Sequence, residues 1–175
     1  FKGDNVSAVL GNDTKIAWPN GVALPAVPGI PIECFEGEIP ELSHLELQNG
    51  LMSHQNYRNW CTLMEAELAV LQDIGFTGID RKKFFGKSIY ANNTRDSIAT
   101  SWTSSTDRAI GLHIYGSNND VTLNSGANIT ASGEYSMGVR VDGSQNDLTI
   151  ANGNAITVSG EEGNGIVVAY GKNHN

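Results

Sequence analysis

Four histidines and two cysteines are the side chains best suited to hold a metal: His44, His54, His113 and His174, with Cys34 and Cys61. A zinc site takes three or four such donors. A catalytic one often places two on a helix as HExxH, a spacing that turns both imidazoles to one face. No HExxH occurs here, nor a CxxC pair, a GxSxG nucleophile turn or a phosphate-cradling Walker loop. Asp120 and Asp147 recur at the same point of a repeat, but each lies in an Asn-Asp-apolar-Thr run that reads as a backbone corner rather than as a pair of catalytic acids. The residues by themselves contain no complete active site. The cysteines leave two readings open: one bridge in an oxidising compartment, or two small unpaired hydrophobes.

The elements that must position these residues fall into two kinds. All five prolines lie between Pro19 and Pro40, whereas Gly111–Asn175 holds 11 of the 20 glycines and only Arg140 and Lys172 as cations. The second stretch repeats. Gly111–Gly116 (GLHIYG) returns as Gly138–Gly143 (GVRVDG), and again as Gly165–Gly171 (GIVVAYG). Asn119–Leu123 aligns with Asn146–Ile150, and Ile129–Gly133 with Ile156–Gly160. The period is about 27 residues, within the range of stacked repeat architectures. Each unit carries three short alternating runs, the period of strands with one buried face, separated by Gly and Asn that tolerate sharp corners. That is one coil of a parallel β-solenoid, and successive coils bury one another's inner faces. Ile114, Leu123, Ile129, Val141, Ile150, Ile156 and Val168 are expected to stack inward, joined by Val121, Ala131, Leu148 and Val158. Asn118, Asn119 and Asn146 are expected at corner ladders, and His113 at the surface.

The first stretch is loop-rich with one main helix. Thr62 and Glu65 have the spacing of a capping box, Met64, Leu68 and Leu71 the helical apolar period, and Gly75 the place of a terminating glycine. The expected helix is Leu63–Ile74. Asp4 is expected to start a short helix through Val6, Val9 and Leu10. Arg81, Lys82, Lys83 and Lys87 read as a solvated face. The expected division is 1–77, a connector 78–108, and the solenoid 109–175.

One run stands out, Leu42-Ser43-His44-Leu45-Glu46-Leu47-Gln48-Asn49-Gly50-Leu51-Met52-Ser53, followed by the helix ending Leu71-Gln72-Asp73-Ile74-Gly75-Phe76. It resembles the C-terminal part of leishmanolysin-like metzincin metallopeptidases, in which a Ser-His segment gives the third zinc ligand and a Leu-Met-Ser segment the Met-turn beneath the metal. Phe1-Lys2-Gly3-Asp4-Asn5 is similar to a segment that precedes that histidine in the family. The resemblance covers about Phe1–Phe76. It implies that His44 is a zinc ligand and Met52 the Met-turn methionine, with His54 and Tyr57 as cleft residues. It also implies zinc as cofactor, a protein or peptide substrate, and an upstream segment supplying HExxH. No catalytic residue is expected within this chain. The repeats resemble the right-handed β-helix of bacterial autotransporter passengers, which implies secretion to the cell surface through the outer membrane, a C-terminal β-barrel and a host surface ligand. The Phe84–Tyr90 run reads as the junction between the two.

Composition narrows the classes. A formal charge of −8 argues against nucleic acid and against a polybasic membrane anchor. The chain opens at Phe1 and stops inside a repeat, so it reads as part of a longer protein. Two functions follow: a surface zinc endopeptidase, or a structural and adhesive passenger whose head is not catalytic. A carbohydrate-cleaving solenoid is a third, weaker one.

Overall fold

The computed structural model describes residues 1–10, 29–32, 44–45, 47, 49–53 and 61–169. Three helices, α1 (Asp4–Val9), α2 (Glu65–Asp73) and α3 (Arg81–Phe84), precede ten strands. The strands are β1 (Phe85–Tyr90), β2 (Arg95–Ile98), β3 (Trp102–Ser104), β4 (Ile110–Tyr115), β5 (Asp120–Leu123), β6 (Ile129–Ala131), β7 (Met137–Asp142), β8 (Asp147–Ile150), β9 (Ile156–Val158) and β10 (Asn164–Val168). They stack as three parallel sheets, β1-β4-β7-β10, β2-β5-β8 and β3-β6-β9. This is a parallel β-solenoid of about three turns. Ile129 pairs with Ile156, and Ile110 with Met137, so from β4 onward the ladder advances by the repeat period in each sheet.

The solenoid starts earlier than the repeat suggests. The segment 78–108, expected as a connector, contains a whole first coil, β1–β3. Trp102 pairs with Ile129 at the full repeat offset, whereas Phe85 pairs with Ile110, an offset shorter by two. The missing two residues belong to the corner between β2 and β3, which spans 99–101 where the next coil has 124–128. That shortened corner also lacks the glycine found at Gly126 and Gly153, both at positive φ.

The inner ladders form as expected where a coil lies on either side. Ile114, Val121, Leu123, Ile129 and Ala131 are buried, and Val141, Leu148 and Ile156 pack against them. At the β8–β10 end Ile150 is 38% and Val168 71% exposed, because no described coil covers them. Glycine makes the interior narrow enough to fill: a Cβ at Gly111 would overlap Ile129 Cγ2, and one at Gly138 would overlap Ile156 Cγ2. The corner ladder runs through Asn119 and Asn146. Asn119 Nδ2 donates to Ala91 O at 2.9 Å, and Asn146 Oδ1 accepts from Asn119 N at 3.1 Å. Asn118 is exposed and contributes a left-handed backbone (φ 59°) instead.

Helix α2 differs in detail from its expected span. Its N-cap is Met64, not Thr62, and the acid that reaches back is Glu67, accepting from Met64 N at 2.8 Å. Thr62 is engaged elsewhere: its N–H and carbonyl bond Asn49 O and Leu51 N, each at 3.1 Å. Glu65, freed from capping, meets Arg81 Nη1 at 3.2 Å and Lys82 Nζ at 3.4 Å, so two of the cations read as a solvated face anchor α3 to α2. The far end of α2 is as expected. Gly75 sits at φ 112°, with Phe76 N bonded to Leu71 O and Gly75 N to Gln72 O, the paired bonds of a Schellman termination.

Candidate functional site

The His44–Met52 region is built from two short pieces of chain and the start of α2. Leu45 N donates to Met52 O at 3.1 Å, and Leu45 also bridges Ile32 on its other side. His44 is half-buried beside that pairing. The chain turns at Asn49–Met52, with Gly50 N on Leu47 O at 2.8 Å and Gly50 bridged to Thr62. Met52 is half-buried against a core that includes Val6, Leu45, Leu47 and Met64. The fold therefore brings His44 and the Met52 turn together. His54 and Tyr57, the expected cleft residues, lie outside the described residues, as do Cys34 and His174.

The carboxylate of Glu67 fixes this turn. It is buried, and its Oε1 accepts from Met52 N at 2.7 Å while Oε2 takes Met64 N. Burial pushes its pKa up to about 6, with bonds from the Met52, Met64 and Leu51 backbone opposing the rise. An acid in this position carries no repeat or motif signal. Only its place three residues after Met64 marks it.

A second carboxylate joins the two stretches that carry the metzincin resemblance. Asp73, at the end of α2, accepts from Asn5 N at 3.0 Å, Asn5 Nδ2 at 2.8 Å and Val6 N at 3.0 Å, satisfying the first N–H groups of α1. Desolvation raises its pKa slightly, but these bonds prevail and hold it below the ordinary carboxylate range. A Cβ at Gly3 would overlap the Asp73 carboxylate, which explains the glycine.

His113 is the largest departure from expectation: it is fully buried, not at the surface. Outward positions of β4 and β7 meet the segment that precedes the solenoid, here called the head, instead of water. Nε2 of His113 lies 2.8 Å from Asp142 Oδ2. Because Asp142 also takes Arg140 Nε at 2.8 Å and Nη2 at 3.1 Å, it is the ionised acceptor, and Nε2 carries the proton. Burial alone would raise the Asp142 pKa. The His113 bond and the Arg140 charge overcome it and hold the carboxyl well below its ordinary range. Tyr90 and Tyr115 both pack edge-on to the imidazole and tilted against each other, and Tyr90 Oη accepts from Ala66 N in α2 at 3.1 Å. One signal was available. Arg140 is one of only two cations after Gly111, and it aligns with His113 in the repeat.

As a zinc site the described residues fall short. His44 is a suitable donor, but among the described residues no three His, Cys, Asp or Glu side chains gather. Three protein ligands are the minimum for a catalytic zinc. An open cleft of about 420 Å³ lies elsewhere, between α1, Glu65, α3 and β1–β2. Its charges are internally paired, Arg81 and Lys82 with Glu65, and Lys87 with Asp96. No helix among the described residues is long and apolar enough to cross a membrane. Compared with protein-family models, curated proteins and solved structures, the chain has no match.

Proposed function

We propose that this chain is the C-terminal part of a zinc-metallopeptidase-like head joined to the first coils of a bacterial autotransporter β-helix, acting on protein or peptide substrates at the cell surface. The observation that carries the reading is the Leu45–Met52 pairing, which seats His44 next to a turn held by Glu67. The Gly3, Asn5 and Asp73 contact adds support, since it joins the two sequence segments on which the resemblance rests. In this reading His44 is one zinc ligand, and the remaining donors and the base come from chain that precedes Phe1. The described residues provide position rather than chemistry: Met52 floors the site, Glu67 holds the floor, and the solenoid carries both.

The test is metal analysis and a protein-cleavage assay on the natural full-length chain and its His44→Ala variant. Stoichiometric zinc and cleavage in the parent, both lost in the variant, are expected, because a metal ligand rather than a tuning group is removed. A parent that holds no zinc and cleaves nothing would favour the structural passenger, in which the same head serves only as a cap on the solenoid. A parent whose zinc and cleavage survive His44→Ala would show the third ligand to be another residue.

A further inference from the structure

The Met52 turn has a second anchor, and it belongs to the solenoid. Asn49 Nδ2 donates to Asp142 Oδ1 at 2.7 Å, between residues far apart in sequence and fully inside the protein. The amide orientation follows from its partner, since a carboxylate can only accept. Asp142 has little freedom to adjust. Arg140 holds it through two nitrogens and His113 through a third, and all three residues are rooted in the paired strands β4 and β7. A hydrogen bond to an ionised, immobilised acceptor is among the stronger ones a neutral amide can make. Asn49 is also at φ 64°, a left-handed conformation that asparagine tolerates. Glu67 of α2 grips the turn at Met52, and Asp142 of the third coil (β7–β9) grips it at Asn49.

We propose that Asn49 and Asp142 make the solenoid a positioning part of the Met52 turn, so that the third coil, together with α2, sets where the floor beneath His44 stands. This rests on the peptidase reading for its functional meaning, but the anchoring itself can be measured without any metal. Backbone bonds to Thr62 and Leu45 shape the turn, and the side chains of Glu67 and Asp142 tie it to α2 and to the third coil. Asn49 and Asp142 are positioning residues, and neither is assigned contact with substrate.

The clean variant is Asn49→Gly, which removes the amide and keeps the left-handed backbone available. Hydrogen exchange is read by mass spectrometry on the natural full-length chain. Amides of 49–53 should exchange about tenfold faster or more, the scale of a lost bond to a charged group, while those of β4–β9 stay unchanged. Unchanged exchange at 49–53 would overturn the proposal. Faster exchange throughout the coils would also overturn it, because Asn49 would then be supporting the solenoid rather than the reverse.

Asn49→Asp gives an independent reading. Its carboxylate faces that of Asp142, so one of the two must take a proton to restore the bond. Protection of the turn should be lost at pH 8 and recover towards pH 5, beyond any change in the wild type, where the groups facing the turn and its anchor are Glu67, His113, Arg140 and Asp142. A variant profile parallel to the wild type would count against the anchor. If the wild type proves to hold no zinc, the peptidase reading fails, and the exchange results still decide whether the coil holds the turn.

Discussion

At the residue scale, three carboxylates do most of the joining, and they titrate in opposite senses. Glu67 has a folded pKa of about 6 against an ordinary 4.5, so the folded protein binds its proton more tightly than the unfolded chain does. Its contribution to stability is therefore greatest below pH 4.5 and is lost as pH rises through 6, a difference on the order of 2 kcal/mol. Asp142 and Asp73 are depressed from 3.8, so their contribution is present above that value and lost as pH falls below it. Stability measured by urea unfolding should thus peak near pH 4.5–5, and Glu67→Gln should flatten the limb between pH 5 and 7 while leaving the acid limb in place. A Glu67→Gln protein that keeps the wild-type slope between pH 5 and 7 would show that another group carries it. The long-range part of this pairing is not legible in the sequence, because Glu67 reaches Met52, Asp73 reaches Asn5 and Asp142 reaches His113 only through the fold. His113 departs from its pattern for the same reason: a lone histidine in a repeat reads as a surface residue, and here it is covered by packing against the head.

At the scale of elements, periodicity revealed most of the architecture. The repeat spacing, the glycine that opens each β4-type strand and the Asn corner were all readable, since stacking requires the same residue type at the same level. The first coil escaped because its shortened β2–β3 corner shifts the register of β1 and β2 by two residues relative to β3. Its equivalents of the repeat residues are Phe85, Lys87 and Ile89 rather than a close copy. The onset of α2 was misjudged because Thr62 has the right chemistry for a cap but is occupied in pairing with Asn49 and Leu51. Four left-handed corner positions, Arg108, Tyr135, Gln145 and Glu162, carry residues that give no hint of that backbone. The glycine row makes a sharp prediction. In Gly138→Ala the new methyl would meet Ile156 Cγ2 inside a closed coil, so thermal unfolding should show a loss of about 1–3 kcal/mol. Gly126→Ala, at an open corner with nothing nearby, should owe any smaller loss to its φ of 85° alone. Equal stability of Gly138→Ala and wild type would mean that the interior can yield.

At the scale of the whole molecule, head and solenoid share a core. Tyr90 and Tyr115 extend from β1 and β4 into the cluster of Val6, Leu47, Met64, Ala66 and Val70, and the buried Arg140–Asp142–His113 group closes the same contact. Separating the two parts would expose that apolar core to water and break the bond from Asn49 to Asp142. Thermal unfolding followed by far-ultraviolet circular dichroism and by tyrosine absorbance should therefore give one coincident transition. Two separated transitions would mean that the shared core is weaker than its burial implies.

The position of Asp142 also limits how this solenoid can change length over generations. Repeat arrays commonly gain and lose whole units, because each contacts only its neighbours. Here the strand carrying Asp142 stands two steps above β1, and the head reads that height through Asn49. Duplicating or deleting one coil between β1 and β7 would move the carboxylate by about 4.8 Å, one inter-strand spacing, and out of reach of the amide. A change in coil number between β1 and β7 therefore breaks this contact, whereas coils added after β9 leave it intact.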